Sequence, residues 1–343
     1  MKTASPDRLE IVAEGSGALL GRQDPDQHRG WVRANKSRGL KDKRATVREA
    51  VQSLVHDGDL VVFGGFGHVR VPMSLVYEIV RQRKRGLAFA GKTAVHDLDI
   101  LIAGGCVDQV EVAYAFGYEL RGLSRCGRRA VETGRVKVVA ETSNAGFQWR
   151  FLAAAMGVPF MPARILLGTD TFARSSARVV RDPWSGKPVC LLPALYPDVA
   201  MLHVQRADKY GNSQIDGIVV EDFEIARAAK RLIVTCEEII DEEEVRAHPD
   251  RTVIPYFLVD AVCEVPYGGH PTNVPHRYFS DERHMALWLN ESRTEKGTQA
   301  YLERFVFGVD TFEDYLELVG GVRRLAELEE IEQTAALREG ERL

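Results

Sequence analysis

The hydrophobic positions of residues 45–240 alternate between two spacings, one typical of helices and one typical of buried strands. The run ATVREAVQSLV at 45–55 has the apolar spacing of a helix. DLVVFGG at 59–65 is a short continuous apolar run that ends on glycine. Such runs are typical of strands in a parallel sheet that is covered on both faces. The alternation therefore predicts repeated β–α–β units.

The remaining elements predicted from the pattern follow in chain order. Helices are predicted at 73–85, 97–105, 145–157 and 222–231, around Trp288, and at 298–308 and 312–333. Strands are predicted at 86–91, 109–116, 135–142, 163–169 and 198–207, with 232–239 leading from a strand into a helix and 258–271 from a strand into a Gly-Pro turn. These elements predict one α/β domain, an open and mostly parallel sheet with helices on both faces, over residues 45–343.

Residues 1–44 differ from the rest of the chain and are interpreted as a basic N-terminal extension. Between Arg22 and Arg44 there are eight basic residues and three acidic ones. Such a stretch could dock onto a partner protein or an anionic ligand. The alternative is a solvated tail that packs locally, because runs of charge are commonly just exposed.

Composition and charge exclude several classes of function. The 343 residues are 45% hydrophobic, enough for a large core, and the formal net charge of -4 lacks the positive excess that nucleic acids or anionic lipids attract. No window reaches the roughly 18–20 apolar residues of a membrane span, and no signal peptide is evident, so we expect a cytoplasmic protein. The five cysteines lack the spacing of a zinc site or a disulfide framework. Neither a metal nor a permanently bound cofactor is predicted.

The stretch DGDLVVFGGFGHVRVP at 57–72 is the strongest local signal in the sequence. Gly64, Gly65 and Gly67 follow a predicted strand, and Pro72 stands where the next helix begins. In open parallel sheets this position binds anions, since glycines let backbone N–H groups approach the ligand. The spacing matches neither GxGxxG nor GxxxxGK[ST], which argues against nucleotide binding. A tight strand-to-helix turn without a ligand is the alternative.

This stretch resembles the first signature of family I coenzyme A transferases. Asp57-Gly58, the apolar run, Gly64-Gly65-Phe66 and Pro72 fit the pattern, with Arg70 where many members have glycine. Arginine there is similar to the branch that contains the A (alpha) subunit of glutaconate CoA-transferase. The resemblance covers roughly residues 45–325, but not the N-terminal extension, and it continues in four further stretches: 153–162, 197–212, 229–246 and 259–271.

The resemblance implies an A (alpha) subunit of a heteromeric enzyme that moves CoA between a short or dicarboxylic acyl-CoA and an acceptor acid. In the family, the nucleophilic glutamate is carried by a separate B (beta) subunit, and the substrates bind in the cleft between the halves. A heterodimer or heterotetramer is therefore expected, with the CoA thioester as substrate. The alternatives are one component of an acyl-CoA hydrolase or decarboxylase of the same fold, or a non-enzymatic module that senses CoA or anions.

Eight residues are predicted to contact substrate: Gly64, Gly65, Phe66, Gly67, His68, Arg70, Asn144 and Asn212. The planar fork of Arg70 could hold the distal carboxylate of a dicarboxylic acyl group. The alternative is that Arg70 pairs with a structural acid or packs at an interface with the partner. His68 could donate to the acyl carbonyl or cap the turn, and Asn212 fits a turn equally well.

No catalytic residue is assigned within this chain. Glu141 in ETSNAG is interpreted as a strand-end cap, Glu237 and Glu238 as acids at the start of a helix, and Cys236 as a buried inert thiol. Gly268, Gly269 and His270 could face an oxyanion, although a turn suits them better. Related ring-opening hydrolases carry an essential glutamate in the corresponding chain, and our alignment puts Ala145 there, or Asn144 with a slip of one residue. This difference argues against that hydrolase.

Overall fold

The computed structural model describes residues 10–21 and 24–340. Its strands are β1 (Ile11–Glu14), β2 (Leu60–Phe63), β3 (Leu87–Lys92), β4 (Val107–Ala113), β5 (Lys137–Glu141), β6 (Phe160–Ala163), β7 (Arg178–Arg181), β8 (Pro188–Pro193), β9 (Val199–Asp208), β10 (Ser213–Gln214), β11 (Arg231–Ile240), β12 (Thr252–Ile254) and β13 (Ala261–Glu264). Its α-helices are α1 (Pro25–Asn35), α2 (Val47–Leu54), α3 (Met73–Arg81), α4 (His96–Ala103), α5 (Arg125–Glu132), α6 (Asn144–Met156), α7 (Asp170–Arg174), α8 (Asp222–Ala228), α9 (Glu242–Ala247), α10 (Glu282–Glu291), α11 (Glu295–Leu302), α12 (Phe312–Leu318) and α13 (Gly321–Gly340).

Seven parallel strands form the centre of the larger sheet, in the order β13-β11-β9-β2-β3-β4-β5. The short strands β10 and β12 extend it antiparallel beside the far end of β9. The chain builds outward from β2 to β5 on one side and from β9 to β13 on the other. The order of strands therefore reverses between β2 and β9, which pair directly with Phe63 opposite Met201.

Helices cover both faces of this sheet, because its buried strands send alternate side chains to opposite faces. Val61 and Phe63 of β2 face a core that includes α3, α4 and the C-terminal helices, with Trp288 among its members. Leu60 and Val62 face a second core, made with α6 and α8. The predicted α/β class and mostly parallel sheet are confirmed.

Local predictions differ from the structure in several places. A second sheet, antiparallel and ordered β1-β7-β8-β6, was not predicted. The apolar run at 163–169 is mostly turn, since Leu166 and Gly168 have positive φ angles of 70° and 73°. Its side chains pack inward without forming a strand. The predicted helix at 312–333 is two helices, because Gly320 and Gly321 also have positive φ angles.

The described part of the N-terminal extension packs against the domain. Strand β1 pairs with β7, and the ring of His28 on α1 lies 4.4 Å from that of Tyr196. Lys36 forms a partly buried ion pair with Asp260 at 2.9 Å. These contacts are those expected if the N-terminal extension packs locally on its own domain. That the extension also docks onto a partner protein stays a prediction. Residues 1–9 and 22–23 of the extension lie outside the described residues.

Among the described helices, none combines the length and the hydrophobicity needed to cross a bilayer. Within the same residues, no three His, Cys, Asp or Glu side chains are grouped to hold a metal ion.

Candidate functional site

The predicted site residues gather mainly at the carboxyl edge of the sheet, where the strand order reverses. The turn at 64–70 leaves β2, and Lys92 ends the neighbouring β3. Asn144 begins α6, while Glu221 and Asp222 stand at the start of α8. Ligands of open parallel sheets bind at this kind of switch point.

The turn at 64–70 is a tight reversal stabilised by its own backbone. Phe66 and Val69 exchange N–H···O bonds of 3.0 and 2.9 Å. Gly65 has a φ of 81°, and a Cβ there would lie 2.2 Å from the carbonyl oxygen of Val69, so only glycine fits. The backbone N–H groups of Gly67 and His68 have no acceptor among the described residues. These two groups are the donors that the turn leaves available.

Arg70 lies in the interior and has protein partners for its guanidinium. Its Nη2 lies 2.8 Å from Asp222, and its Nη1 donates to the same carboxylate at 3.1 Å. The carbonyl oxygens of Ile218 and His203 accept two further hydrogen bonds. Both members of the ion pair are fully buried. The geometry therefore supports the structural ion pair rather than the predicted carboxylate clamp.

The Asp222 carboxylate connects Arg70 to the glycine turn. It accepts a hydrogen bond from the N–H of Gly65 at 3.1 Å. Burial raises the pKa of Asp222, but the attraction of Arg70 and its hydrogen bonds outweigh burial and leave the pKa below its usual value. Arg70 itself has a φ of 53°, in the left-handed region that favours glycine. That conformation explains physically why glycine suits this position.

Most of the turn is packed rather than open. Phe66 and Val69 are partly exposed, whereas Gly67 and His68 are buried. The ring of His68 lies 5.5 Å from that of Tyr118, and its Nε2 is buried without a partner among the described residues. Burial and the charge of Arg121 lower the pKa of His68 to about 4. His68 is therefore neutral at physiological pH.

Lys92 and Glu221 form a buried pair that sequence reasoning missed. Their charged atoms are 3.4 Å apart, with side chains 4% and 3% exposed. The Lys92 ammonium also lies 5.7 Å from the centre of the Phe66 ring. Burial raises the pKa of Glu221 to about 8, against the opposing effect of Lys92. The side-chain nitrogen of Lys92 thus lies beside the turn, between the Glu221 carboxyl group and the Phe66 ring. The sequence feature that could have indicated Lys92 is its position, a lysine at the end of a buried apolar strand.

Asn144 lies beside these groups. Its Nδ2 donates to Thr93 Oγ1 at 3.4 Å, and its Oδ1 is buried without a partner in the described part of the chain. Gly67 also approaches Thr93, whose methyl carbon lies 3.4 Å from the position of a Cβ on that glycine. The structure thus brings Asn144 together with the glycine turn.

Comparison with known proteins identifies the family. The sequence profile described as Coenzyme A transferase matches residues 44–265. The chain belongs to the coenzyme A transferase family. A relative from Archaeoglobus fulgidus, an uncharacterized protein, is 60% identical over 330 residues, covering 96% of this chain and 74% of that protein. This similarity extends into the N-terminal extension, because residues 45–343 number only 299.

Two further similar proteins carry functional names. The A (alpha) subunit of glutaconate CoA-transferase from Acidaminococcus fermentans is 33% identical over 298 residues, covering 82% of this chain and 93% of that relative. The crystal structure of that enzyme matches with a TM-score of 0.79 at 32% identity, over 83% of this chain and 95% of the matched chain. The decarboxylase AibA/AibB matches with a TM-score of 0.67 at 31% identity, over 76% of this chain and 98% of the matched chain.

In this coenzyme A transferase chain, Asn212 lies apart from the other predicted site residues. Asn212 follows the end of β9 at Asp208, whereas the glycine turn follows Phe63, which pairs with Met201 of the same strand. Met201 and Asp208 are seven positions apart, roughly 20 Å along the strand. The Nδ2 of Asn212 donates to Asp208 at 2.7 Å, and its Oδ1 accepts from the N–H of Tyr256 at 3.0 Å. Asn212 is thus part of a turn, which was the alternative to a role in substrate binding.

Glu237 and Glu238 do not begin a helix, and that prediction is wrong. Strand β11 continues through both to Ile240, where it pairs with the long β9. The Glu237 carboxylate accepts hydrogen bonds from Tyr278 at 2.8 Å and the N–H of Tyr267 at 2.7 Å, and it lies 2.6 Å from His203 Nε2. Pairing with a strand that outruns its neighbours extends β11 past the position where the helix was predicted.

His270 and the cysteines have structural positions. The imidazole of His270 is fully buried between Tyr315 and Asp281, and the carbonyl of Gly268 accepts from the N–H of Ser74. The turn alternative therefore fits this segment. All five cysteines are free and buried. Burial raises the pKa of the Cys236 thiol, as expected for an inert cysteine.

Proposed function

We propose that this chain is the A (alpha) subunit of a heteromeric CoA-transferase that moves CoA between a short or dicarboxylic acyl-CoA and an acceptor acid. Its membership of the coenzyme A transferase family and its similarity to the corresponding chain of a glutaconate CoA-transferase support this proposal. The main structural support is the state of the carboxylates at the candidate site.

Transfer of CoA needs a carboxylate that is free to attack. It attacks the thioester carbonyl, the C–S bond breaks, and CoA leaves as a thiolate while the acyl group and the carboxylate form a mixed anhydride. The thiolate then attacks the enzyme's carbonyl, which releases the first acid and leaves a glutamyl-CoA thioester. The acceptor acid reverses both steps, so no oxidant or reductant is consumed.

At the carboxyl edge, four carboxylates are already paired or hydrogen-bonded, whereas Glu224 in the first turn of α8 has no ion-pair partner among the described residues and a pKa that is raised mainly by burial. Asp222 is held by Arg70, Glu237 by two tyrosine residues and His203, and Glu141 by Arg174 at 3.2 Å. Glu221 is paired with Lys92 and has a raised pKa, which keeps it protonated and weakly nucleophilic at neutral pH. The attacking glutamate is therefore proposed to come from a separate B (beta) subunit.

The same edge presents apolar side chains for such a partner. Five large apolar residues near the ends of β4 and the start of α8 are between 39% and 61% exposed: Tyr114, Leu123, Ile218, Val219 and Phe223. A group of exposed large apolar side chains is typical of a surface that another protein covers. A B subunit docked there would place its glutamate opposite the glycine turn.

The residues of this chain would bind and orient the substrates. The N–H groups of Gly67 and His68, which are buried but have no acceptor among the described residues, suit the negative oxygen that develops when the thioester is attacked. Lys92 supplies positive charge for an acidic substrate, while Arg70 with Asp222 holds the turn in shape. Asn144 Oδ1 is an unused acceptor for a substrate N–H or O–H.

The test compares the chain alone with the chain co-purified with the product of the adjacent gene. CoA exchange between an acyl-CoA donor, such as glutaconyl-CoA, and acetate is followed by chromatography. We expect exchange from the complex alone, with borohydride trapping a reduced glutamyl residue on the B subunit. Exchange by the isolated chain would refute the two-subunit proposal. Release of CO₂ would instead identify a decarboxylase, and free CoA without an acceptor a hydrolase.

A further inference from the structure

An arginine-rich cavity lies among the C-terminal helices. Its volume is about 220 Å³, and the wall is formed by the start of α10, the segment after α11, and the junction of α12 with α13. Four arginines line it: Arg283, Arg304, Arg323 and Arg324. Two carboxylates, Asp281 and Glu327, accompany them. The remaining lining includes the apolar side chains of Leu287, Phe305 and Leu318.

The two carboxylates of this cavity form ion pairs mainly with Arg324. Arg324 lies 2.8 Å from Asp281 and 2.7 Å from Glu327, and Arg283 lies 3.7 Å from Glu327. Burial raises the pKa of Asp281, but hydrogen bonds from His270 and Arg324 outweigh burial and hold the pKa well below its usual range. Both carboxylates are thus ionised near neutral pH.

Arg304 and Arg323 keep their charge available. Neither has a carboxylate within 4.0 Å among residues 10–21 and 24–340. Four arginines against two carboxylates leave two positive charges at the opening of the cavity, where Arg304 and Arg323 are exposed to solvent. The imidazole of His284 adds none, because burial and repulsion by His270 lower its pKa to about 3. The cavity therefore attracts an anion of more than one negative charge.

Backbone geometry adds to this attraction. The helix α13, from Gly321 to Gly340, begins at the cavity, and the first N–H groups of a helix have no partner within the helix. Gly320, with a φ of 126°, turns the chain into that helix. Arg304 and Phe305 stand on a single π-helical turn, Glu303–Phe307, that continues α11. Such turns are rare and frequently occur at functional sites.

We propose that this cavity is a binding site for a small phosphate-bearing anion. Guanidinium groups match phosphate oxygens in pairs, and a helix N-terminus favours the same charge. The volume is below the roughly 300–1,000 Å³ of pockets for drug-sized ligands, so the ligand is of the size of a diphosphate group. Such a group can be free or can belong to a nucleoside diphosphate whose base lies outside.

The experiment is a calorimetric titration of the full-length chain, in complex with its B subunit, with inorganic diphosphate and separately with ADP. We expect binding of diphosphate that weakens as the salt concentration rises from about 0.05 M to about 0.5 M. The Arg304→Gln/Arg323→Gln variant should bind at least roughly tenfold more weakly, the loss of one charge-assisted hydrogen bond or more. ADP that binds tighter than diphosphate would identify the nucleotide as the source of the phosphate.

Two controls keep the experiment decisive. Arg178→Gln/Arg181→Gln changes two arginines of β7 that pair with Glu14 and Glu10, and it should leave diphosphate binding unchanged. Glu327→Gln removes a negative charge from the rim and should tighten binding. Absence of diphosphate binding at low salt, or equal losses in both double variants, would overturn the proposal. So would binding by the isolated chain that the B subunit abolishes, because the cavity would then be part of the interface between the two chains.

Discussion

The Arg70–Asp222 pair offers the most direct test of how the glycine turn is held. Replacing Arg70 with methionine keeps similar length but leaves the Asp222 carboxylate buried without its cation. Removing one member of a buried pair costs about 3–5 kcal/mol, a large part of the about 5–15 kcal/mol by which domains are stable. Arg70→Met should lower the free energy of unfolding by that amount, measured by urea denaturation followed by circular dichroism.

An exposed pair provides the matched control. Arg128 and Glu132 pair on α5 with side chains 56% and 59% exposed, so Arg128→Met should change the unfolding free energy by about 0.5 kcal/mol or less. The double variant Arg70→Met/Asp222→Leu should recover part of the loss, because no unpaired charge remains buried. If Arg70→Met is as stable as wild type but raises KM for a dicarboxylic acyl-CoA in the two-chain complex, the ion-pair reasoning is wrong and the carboxylate clamp is correct.

Three further predictions concern the turn, its neighbour and the partner surface. Gly65 and Gly58 both have positive φ angles, but an added Cβ meets the carbonyl oxygen of Val69 only at Gly65. Gly58→Ala should therefore cost about 1 kcal/mol of unfolding free energy and Gly65→Ala several times more. Equal unfolding midpoints for the two variants would contradict this. Folding raises the pKa of Glu221 from 4.5 to about 8, so the folded state holds the proton more tightly than the unfolded chain. The free energy of unfolding should therefore fall as the pH rises from about 4.5 to about 8, by up to about 1.4 kcal/mol per pH unit, and Glu221→Gln should lack that slope in a pH series. Val219→Asp should weaken association with the B subunit at least about tenfold in sedimentation, whereas Trp184→Asp, at a 92% exposed residue on the β7–β8 hairpin, should not.

The family and the main sheet could be predicted from the sequence because their signals are local. A buried parallel strand is a short apolar run, and several helices between strands carry a regular apolar spacing, so β2, β3, β9, α3, α4 and α6 were predicted close to their observed bounds, whereas α5 and α7 were missed. The glycine turn was recognised for the same reason. Its positive φ angles require particular residues at fixed positions.

Contacts between residues distant in sequence were decided only by the tertiary structure. Arg70 and Asp222 are 152 positions apart, and no local sequence pattern around either residue indicates that the two form an ion pair. Lys92 and Glu221 are 129 positions apart and meet only at the carboxyl edge of the folded sheet, where β2 alone separates β3 from β9. Strand β11 runs through Glu237 because β9 offers it a partner, which overrides the local preference for a helix. Local spacing encodes which elements form, whereas burial and pairing across the sheet determine which charges remain free to act.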